Sequence, residues 1–194
     1  MDTSVNTPAG DPVVLRKLYF VRFAFAAVWA ALLFATAGDT LGPVSGTLLV
    51  VYPLFDVAAA VVDARSARAN GGTAPALLAN IVISSLAAVG LAVAATSGVP
   101  AALRVWGAWA VLSGVAQLVA GAVRRKLGGQ WAMIISGAIS TFAGASFLAQ
   151  AGADDPMLKG LAGYAFLGGV FFLVSALRLG RTRTRTRTGV RAGV

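Results

Sequence analysis

The stretch YPLFDVAAAVVDAR, residues 52–65, decides the fold because the chain repeats its pattern twice more. WAVLSGVAQLVAGAVR, residues 109–124, and YAFLGGVFFLVSALR, residues 164–178, follow at offsets of 57 and 55 residues. Each begins on an aromatic (Tyr52, Trp109, Tyr164) and places a small or polar residue four later (Asp56, Ser113, Gly168). Each then reaches an arginine 13 to 15 residues after the aromatic (Arg65, Arg124, Arg178). A spacing of four puts the first two residues on one helix face. Recurrence in register marks an internal repeat rather than a shared apolar composition.

The segments between these stretches repeat as well. They end in Ala37-Gly38, Ser97-Gly98 and Ala151-Gly152, and each Gly is followed within five residues by Pro43, Pro100 or Pro156. Gly caps the end of one helix and Pro starts the next. The unit is therefore a pair of helices. Each apolar run approaches the roughly 20 residues that a bilayer core requires, and six runs are found: 15–37, 41–62, 75–96, 100–123, 130–151 and 157–179. A two-helix unit returns to its starting side, so three units are parallel repeats about an axis along the membrane normal. The predicted fold is all-α: an integral membrane six-helix bundle of three helical-hairpin repeats (15–62, 75–123, 130–179) with pseudo-threefold symmetry. Residues 1–14 form a cytoplasmic N-terminal segment expected to be disordered, and residues 180–194 a basic disordered cytoplasmic tail.

Composition agrees. Hydrophobic residues make up 58% of the 194 and charged residues 12%, about half the charge of a soluble domain, with a mean hydropathy of +0.80. No Cys or His occurs, and all seven acidic residues are Asp. Disulfides, thiol nucleophiles, imidazole bases and zinc ribbons are thereby excluded. Fourteen of the 16 basic residues fall on the side of the N-terminus, and Arg104 and Lys159 fall on the other. By the positive-inside rule both termini are expected in the cytoplasm, in a multi-pass cell (inner) membrane protein. The first span, although it ends in an Ala-x-Ala pattern at residues 35–37, is too long for a signal-peptide core and is expected to remain uncleaved. The net charge of +9 then reflects topology and the tail, not nucleic acid.

These repeats resemble those of the HdeD family of bacterial six-span membrane proteins, whose units read aromatic-x-x-x-Asp-Gly, an apolar run with Gln, then a basic residue. Tyr52, Asp56 and Arg65 fit that pattern, as do Trp109, Gly114, Gln117 and Arg124, with Ser113 replacing the acid. Tyr164, Gly169 and Arg178 fit in the third repeat, where Gly168 replaces it. The resemblance spans residues 16–178. It implies the six-span architecture, an inner-membrane location and a link to acid resistance; it implies no catalytic motif.

Polar residues within spans are functional candidates by default. Arg22, Asp56, Asn80, Gln117 and Ser136 all fall in the cytoplasmic third by their distance from the span ends. They form either a hydrogen-bonded structural cluster or a proton-responsive chamber open to the cytoplasm. Arg22 and Asp56, on consecutive antiparallel helices at similar depth, are expected to pair. Small residues at spacings of four (Gly38, Gly42 and Gly46; Ser136, Ser140 and Gly144; Gly160 and Gly168 about Tyr164) suggest close helix contacts, internal or in a homo-oligomer. Trp29, Trp106, Trp109 and Trp131, with Tyr19, Tyr52 and Tyr164, lie mostly near span ends and are read as an interfacial belt. Arg181, Arg183, Arg185 and Arg187, in four Arg-Thr pairs, suit anionic lipid headgroups.

No Walker loop, nucleophile elbow or carboxylate pair within a span occurs, so neither an enzyme nor a cofactor is expected. The function expected is that of a non-catalytic HdeD-like inner-membrane protein acting in acid or envelope stress through lipid or protein partners. The alternative is a small channel or transporter for protons or small solutes.

Overall fold

The computed structural model describes residues 12–38, 40–69, 75–123 and 131–191, with residues 179–191 described by backbone only. It is all-helical among the described residues: α1 (Pro12–Thr36), α2 (Pro43–Ala69), α3 (Pro75–Ala94), α4 (Val99–Val123), α5 (Trp131–Gln150) and α6 (Lys159–Arg191). All six are long and apolar enough to cross a membrane, and the chain is a multi-pass membrane protein. Pro43 and Pro75 begin their helices, where a missing N–H leaves no bond unmade. The α3–α4 turn closes through Ser97 N–H donating to the Ala94 carbonyl. Gly98 follows at φ +92°, a conformation that a side chain would strain.

Two ends differ from the sequence reading. α2 continues to Ala69, past its apolar run, because Asp63, Arg65 and Arg68 extend it into the polar region at no cost to the bilayer-facing part. α6 continues as helix to Arg191, so the tail read as disordered is helical to that point. Extending an existing helix carries no nucleation cost, and Arg is a good helix former. The side chains of Arg181, Arg183, Arg185 and Arg187 lie outside those described, as do residues 1–11 of the N-terminal segment.

The helices form a closed ring in chain order, with α6 returning to α1. The close pairs, however, are α4/α5, α1/α6 and α2/α3, while α1/α2, α3/α4 and α5/α6 meet over less surface. The tight pairs thus fall across the boundaries between the hairpins expected from the sequence, not within them. Side-chain size is the reason. A Cβ on Gly114 would lie 2.6 Å from Thr141 N, and one on Gly144 2.6 Å from Gly107 O; Gly137 and Gly107 are equally confined. These four glycines, at spacings of seven, let the α4 and α5 backbones touch. Gly169 packs on Ala26 between α6 and α1, and Gly46 on Ala95 between α2 and α3. Of the small-residue faces read from the sequence, Gly46 and Gly144 are used in this way, whereas a Cβ on Gly38 or Gly168 would meet nothing within 4 Å. Within the hairpins, large aromatic side chains hold the axes apart.

The core is layered along the membrane normal. At the face opposite the termini, Leu33, Leu49, Leu91, Leu103, Leu158 and Leu161 are completely buried. Next comes an aromatic layer. Trp29 stacks on Trp106 at 5.3 Å, Tyr52 meets Trp29, Trp106 and Trp109, and Phe147 meets Tyr164 edge-on at 5.7 Å. The largest fully buried side chains all belong to the middle of the bundle and the half away from the termini. In the termini half the buried positions are small, such as Ala59, Ala60, Ala64 and Ala176, and they line the tight pairs. The buried side chains are thus large at the face opposite the termini and small toward the termini.

The tryptophans correct the belt reading. Trp29, Trp106 and Trp109 are 2%, 0% and 8% exposed, and only Trp131 of the four is open, at 73%. Two of the buried indoles have found acceptors inside: Trp29 donates to the Leu48 carbonyl at 2.7 Å, and Trp109 to Ser84 Oγ at 3.1 Å. A satisfied indole loses its reason to seek the headgroup region.

Candidate functional site: a polar centre inside the bundle

Below the aromatic layer, on the termini side, the inward faces of three helices turn polar. Along α1 that face runs Leu33, Trp29, Ala26, Arg22; along α2, Leu49, Tyr52, Asp56; along α3, Leu91, Ala87, Ser84, Asn80. The spacings of three and four are those of one helix face, so apolar packing above aims the polar residues at one another below.

Asp56 is the junction. Its Oδ2 accepts from Asn80 Nδ2 at 2.7 Å and from Ser84 Oγ at 2.8 Å, and its Oδ1 lies 3.3 Å from Arg22 Nη1. The ion pair expected from the sequence is therefore formed. Ser84 accepts the Trp109 indole N–H while donating to Asp56, which fixes its hydroxyl and polarises it toward the carboxylate. Arg22–Asp56–Ser84–Trp109 is one continuous chain from α1 to α4. The guanidinium of Arg22 also lies 4.8 Å from the Phe172 ring centroid, a cation–π contact that brings in α6. The Arg22 and Asp56 side chains are 12% and 20% exposed, so the centre is shielded but not sealed.

A second, separate contact lies at similar depth, where the Tyr164 hydroxyl donates to Ser140 Oγ at 3.0 Å. Among the described residues, three buried side-chain polar atoms have no protein partner: Arg22 Nε, Trp106 Nε1 and Ser113 Oγ. Trp106, Ser113 and Gln117 share one face of α4, at spacings of seven and four.

Of the five residues grouped by sequence, the structure brings together Arg22, Asp56 and Asn80. Gln117 sits instead at the α4/α5 contact, where a Cβ on Gly137 would approach its own Cβ to 3.1 Å. Ser136, half-buried on α5, makes no hydrogen bond to Asp56, whose hydrogen-bond donors are Asn80 and Ser84. The tight α4/α5 pairing turns Gln117 toward that seam, while Ser136 lies one turn from Ser140 on the face of α5 that meets α6. Ser84 and Trp109 are the members that sequence reasoning missed. The available signal was the spacing of four between Asn80 and Ser84, which places both on one face. Ser85, its neighbour, bonds back to the Ile81 carbonyl of its own helix.

Chemically, the centre holds a carboxylate saturated by neutral donors and one cation. Among the described residues no group of three or more acidic, His or Cys side chains is placed to hold a metal ion. Comparison of the chain with family models, with curated proteins and with solved structures gives no match.

Proposed function

We propose that the chain is a non-catalytic inner-membrane protein of the HdeD type, with both termini in the cytoplasm, acting in acid or envelope stress through lipid or protein partners. The observation that carries this reading is the layered core. Completely buried leucines and a stacked aromatic layer stand between the polar centre and the face opposite the termini. A pore needs polar groups along its whole path, and here they stop halfway. Asp56, with its acceptor oxygens engaged by three side chains, serves the assembly of helices rather than a reaction.

The three-hairpin repeat is part of the same proposal. The bonds Trp109 to Ser84 and Tyr164 to Ser140 join the two helices of the second and third hairpins across 25 and 24 residues. Tyr52 would meet Ala27 at that separation, and there no hydroxyl is available. The alternation of close and looser contacts around the ring has a period of two helices, which also supports a repeated pair. The helical basic tail at Arg181, Arg183, Arg185 and Arg187 would contribute attraction to anionic headgroups, near 1 kcal/mol per basic residue.

A second reading, a small transporter, is favoured by one observation: the polar centre keeps partial exposure at the edge of the half whose buried side chains are small. Flux of protons and small ions into liposomes carrying purified protein separates the two. The proposed function expects flux equal to that of empty liposomes, and flux above them would overturn it in favour of a transporter. Deletion in the source bacterium, followed by acid and envelope challenge, tests the stress role; unchanged survival under both would refute it.

A further inference from the structure

Three boundaries in the ring are less closely packed, and each is crossed by a side-chain-to-side-chain polar contact, with the Trp29 bond to the Leu48 carbonyl an additional link at α1/α2. Arg22–Asp56 spans α1/α2, Trp109–Ser84 spans α3/α4 and Tyr164–Ser140 spans α5/α6. Ser84 and Ser140 each lie ten residues from the end of their helix at the packed face, Ala94 and Gln150, about 15 Å at 1.5 Å per residue. Arg22 and Asp56 lie within about one further turn. The contacts act as clasps around the middle of the bundle, between three tight helix pairs.

The clasps are not equivalent. The first two are continuous through Asp56 and Ser84, a side-chain link that joins α1, α2, α3 and α4 in series. α6 is fixed to α1 and α5 to α4 by extensive packing. The α5/α6 boundary has the least contact in the ring and its clasp is joined to no other. Its apolar contacts, Phe147 with Tyr164 and Phe147 against Gly160, lie at or beyond the clasp toward the packed face. On the termini side of the clasp, space opens: a Cβ on Gly168 would meet nothing within 4 Å, and Val170, Phe171, Phe172 and Leu173 are all partly exposed.

We propose that α5 and α6 form a lateral gate, latched by the Tyr164–Ser140 hydrogen bond and hinged at the leucine layer, that opens the termini half of the bundle sideways to the bilayer. Opening carries α1 with α6 away from α4 with α5, which the looser α1/α2 and α3/α4 boundaries allow. The pairs α4/α5 and α1/α6 move as units, and the leucines stay packed. Tyr164 is suited to a latch because its ring remains in the apolar layer when its hydroxyl lets go. A single neutral hydrogen bond between helices in lipid is worth little, so the latch is readily released.

The absence of Cys allows spin labels to be placed without background. One label pair spans the gate, at Ile135 and Val174, and two controls lie within tight pairs, at Val119 with Ile135 and at Val21 with Val174; all four sites are exposed. Distances are measured by double electron–electron resonance on the full chain in lipid nanodiscs, with and without Tyr164→Phe. The gate distance should gain or enlarge a longer-distance population on Tyr164→Phe, while both control distances keep their shape. Ser140→Ala, which removes the acceptor instead, should reproduce the effect. A gate distance unchanged by both variants would overturn the proposal, as would widening of the controls to the same degree. The readout is independent of flux and of stress survival, so the gate and the proposed function fail separately.

Discussion

Replacing Asp56 by Asn tests the polar centre at its junction. The substitution keeps the side-chain shape but removes the charge that faces Arg22 at 3.3 Å and presents an amide where Asn80 and Ser84 both donate. Stranding a fully buried partner costs about 3–5 kcal/mol. Arg22 is 12% and Asp56 20% exposed, so part of the stranded charge is recovered by solvent from the termini side and by the Phe172 ring. A loss of about 2–3 kcal/mol is expected after that discount. Arg22→Gln alone leaves the carboxylate with two neutral donors and should cost less, about 1–2 kcal/mol. Because the charges face each other, the double variant should be more stable than the sum of the two losses predicts, by about 1–2 kcal/mol. Equilibrium unfolding in mixed micelles, followed by tryptophan fluorescence, reads this directly, since Trp29, Trp106 and Trp109 surround the site. Losses that add within about 0.5 kcal/mol would refute the coupling, and a neutral Asp56→Asn would refute the junction itself.

Other outcomes follow from the same geometry. Reporter fusions after Val194 and within residues 65–73 should report cytoplasm, and one at Ala153 the opposite side; a C-terminal fusion reporting the far side would break the six-span count. Removing residues 181–194 should leave insertion and thermal stability in detergent unchanged, because α6 packs on α1 through Gly169, well before the tail; loss of folded protein would show that the tail packs. Gly114→Ala should destabilise by about 1–3 kcal/mol, since its Cβ would lie 2.6 Å from Thr141 N, whereas Gly163→Ala meets nothing within 4 Å and should be neutral; equal effects in melting experiments would contradict the α4/α5 contact. Trp29→Phe should cost more than Trp106→Phe in unfolding titrations, because it also loses the bond to the Leu48 carbonyl while Trp106 Nε1 has no partner to lose.

The six spans were legible because hydropathy and turn residues set them directly. Six of the twelve boundaries agree within one residue, and the largest departures are at the polar ends of α2 and α6, where a helix outlasts its apolar run. The Arg22–Asp56 pair was legible too, since two opposite charges at one depth on adjacent helices have few alternatives in lipid. Which helices pack tightly was not legible. The glycines that decide it, Gly107 with Gly114 and Gly137 with Gly144, recur at seven residues, while the small-residue motif sought recurs at four. Trp placement was hidden for another reason. An indole near a span end can face the interface or turn inward, and the choice rests on acceptors from other helices, the Leu48 carbonyl and Ser84 Oγ.

Six apolar helices of similar composition could be ordered around a ring in many ways, and lipid supplies no hydrophobic drive to prefer one. Close glycine contacts choose three pairs but do not say how the pairs are arranged. That information sits in the polar contacts. Asp56 can be satisfied by Arg22 from one side and by Asn80 and Ser84 from the other only if α1 and α3 both flank α2. Trp109 reaches Ser84 only if α4 lies on the far flank of α3. The α4/α5 and α6/α1 glycine contacts then close the ring. A charge inside the bundle adds little to stability once its desolvation is counted. Its contribution here is to make the wrong orders costly, since any of them would leave a charged or hydroxyl group facing hydrocarbon.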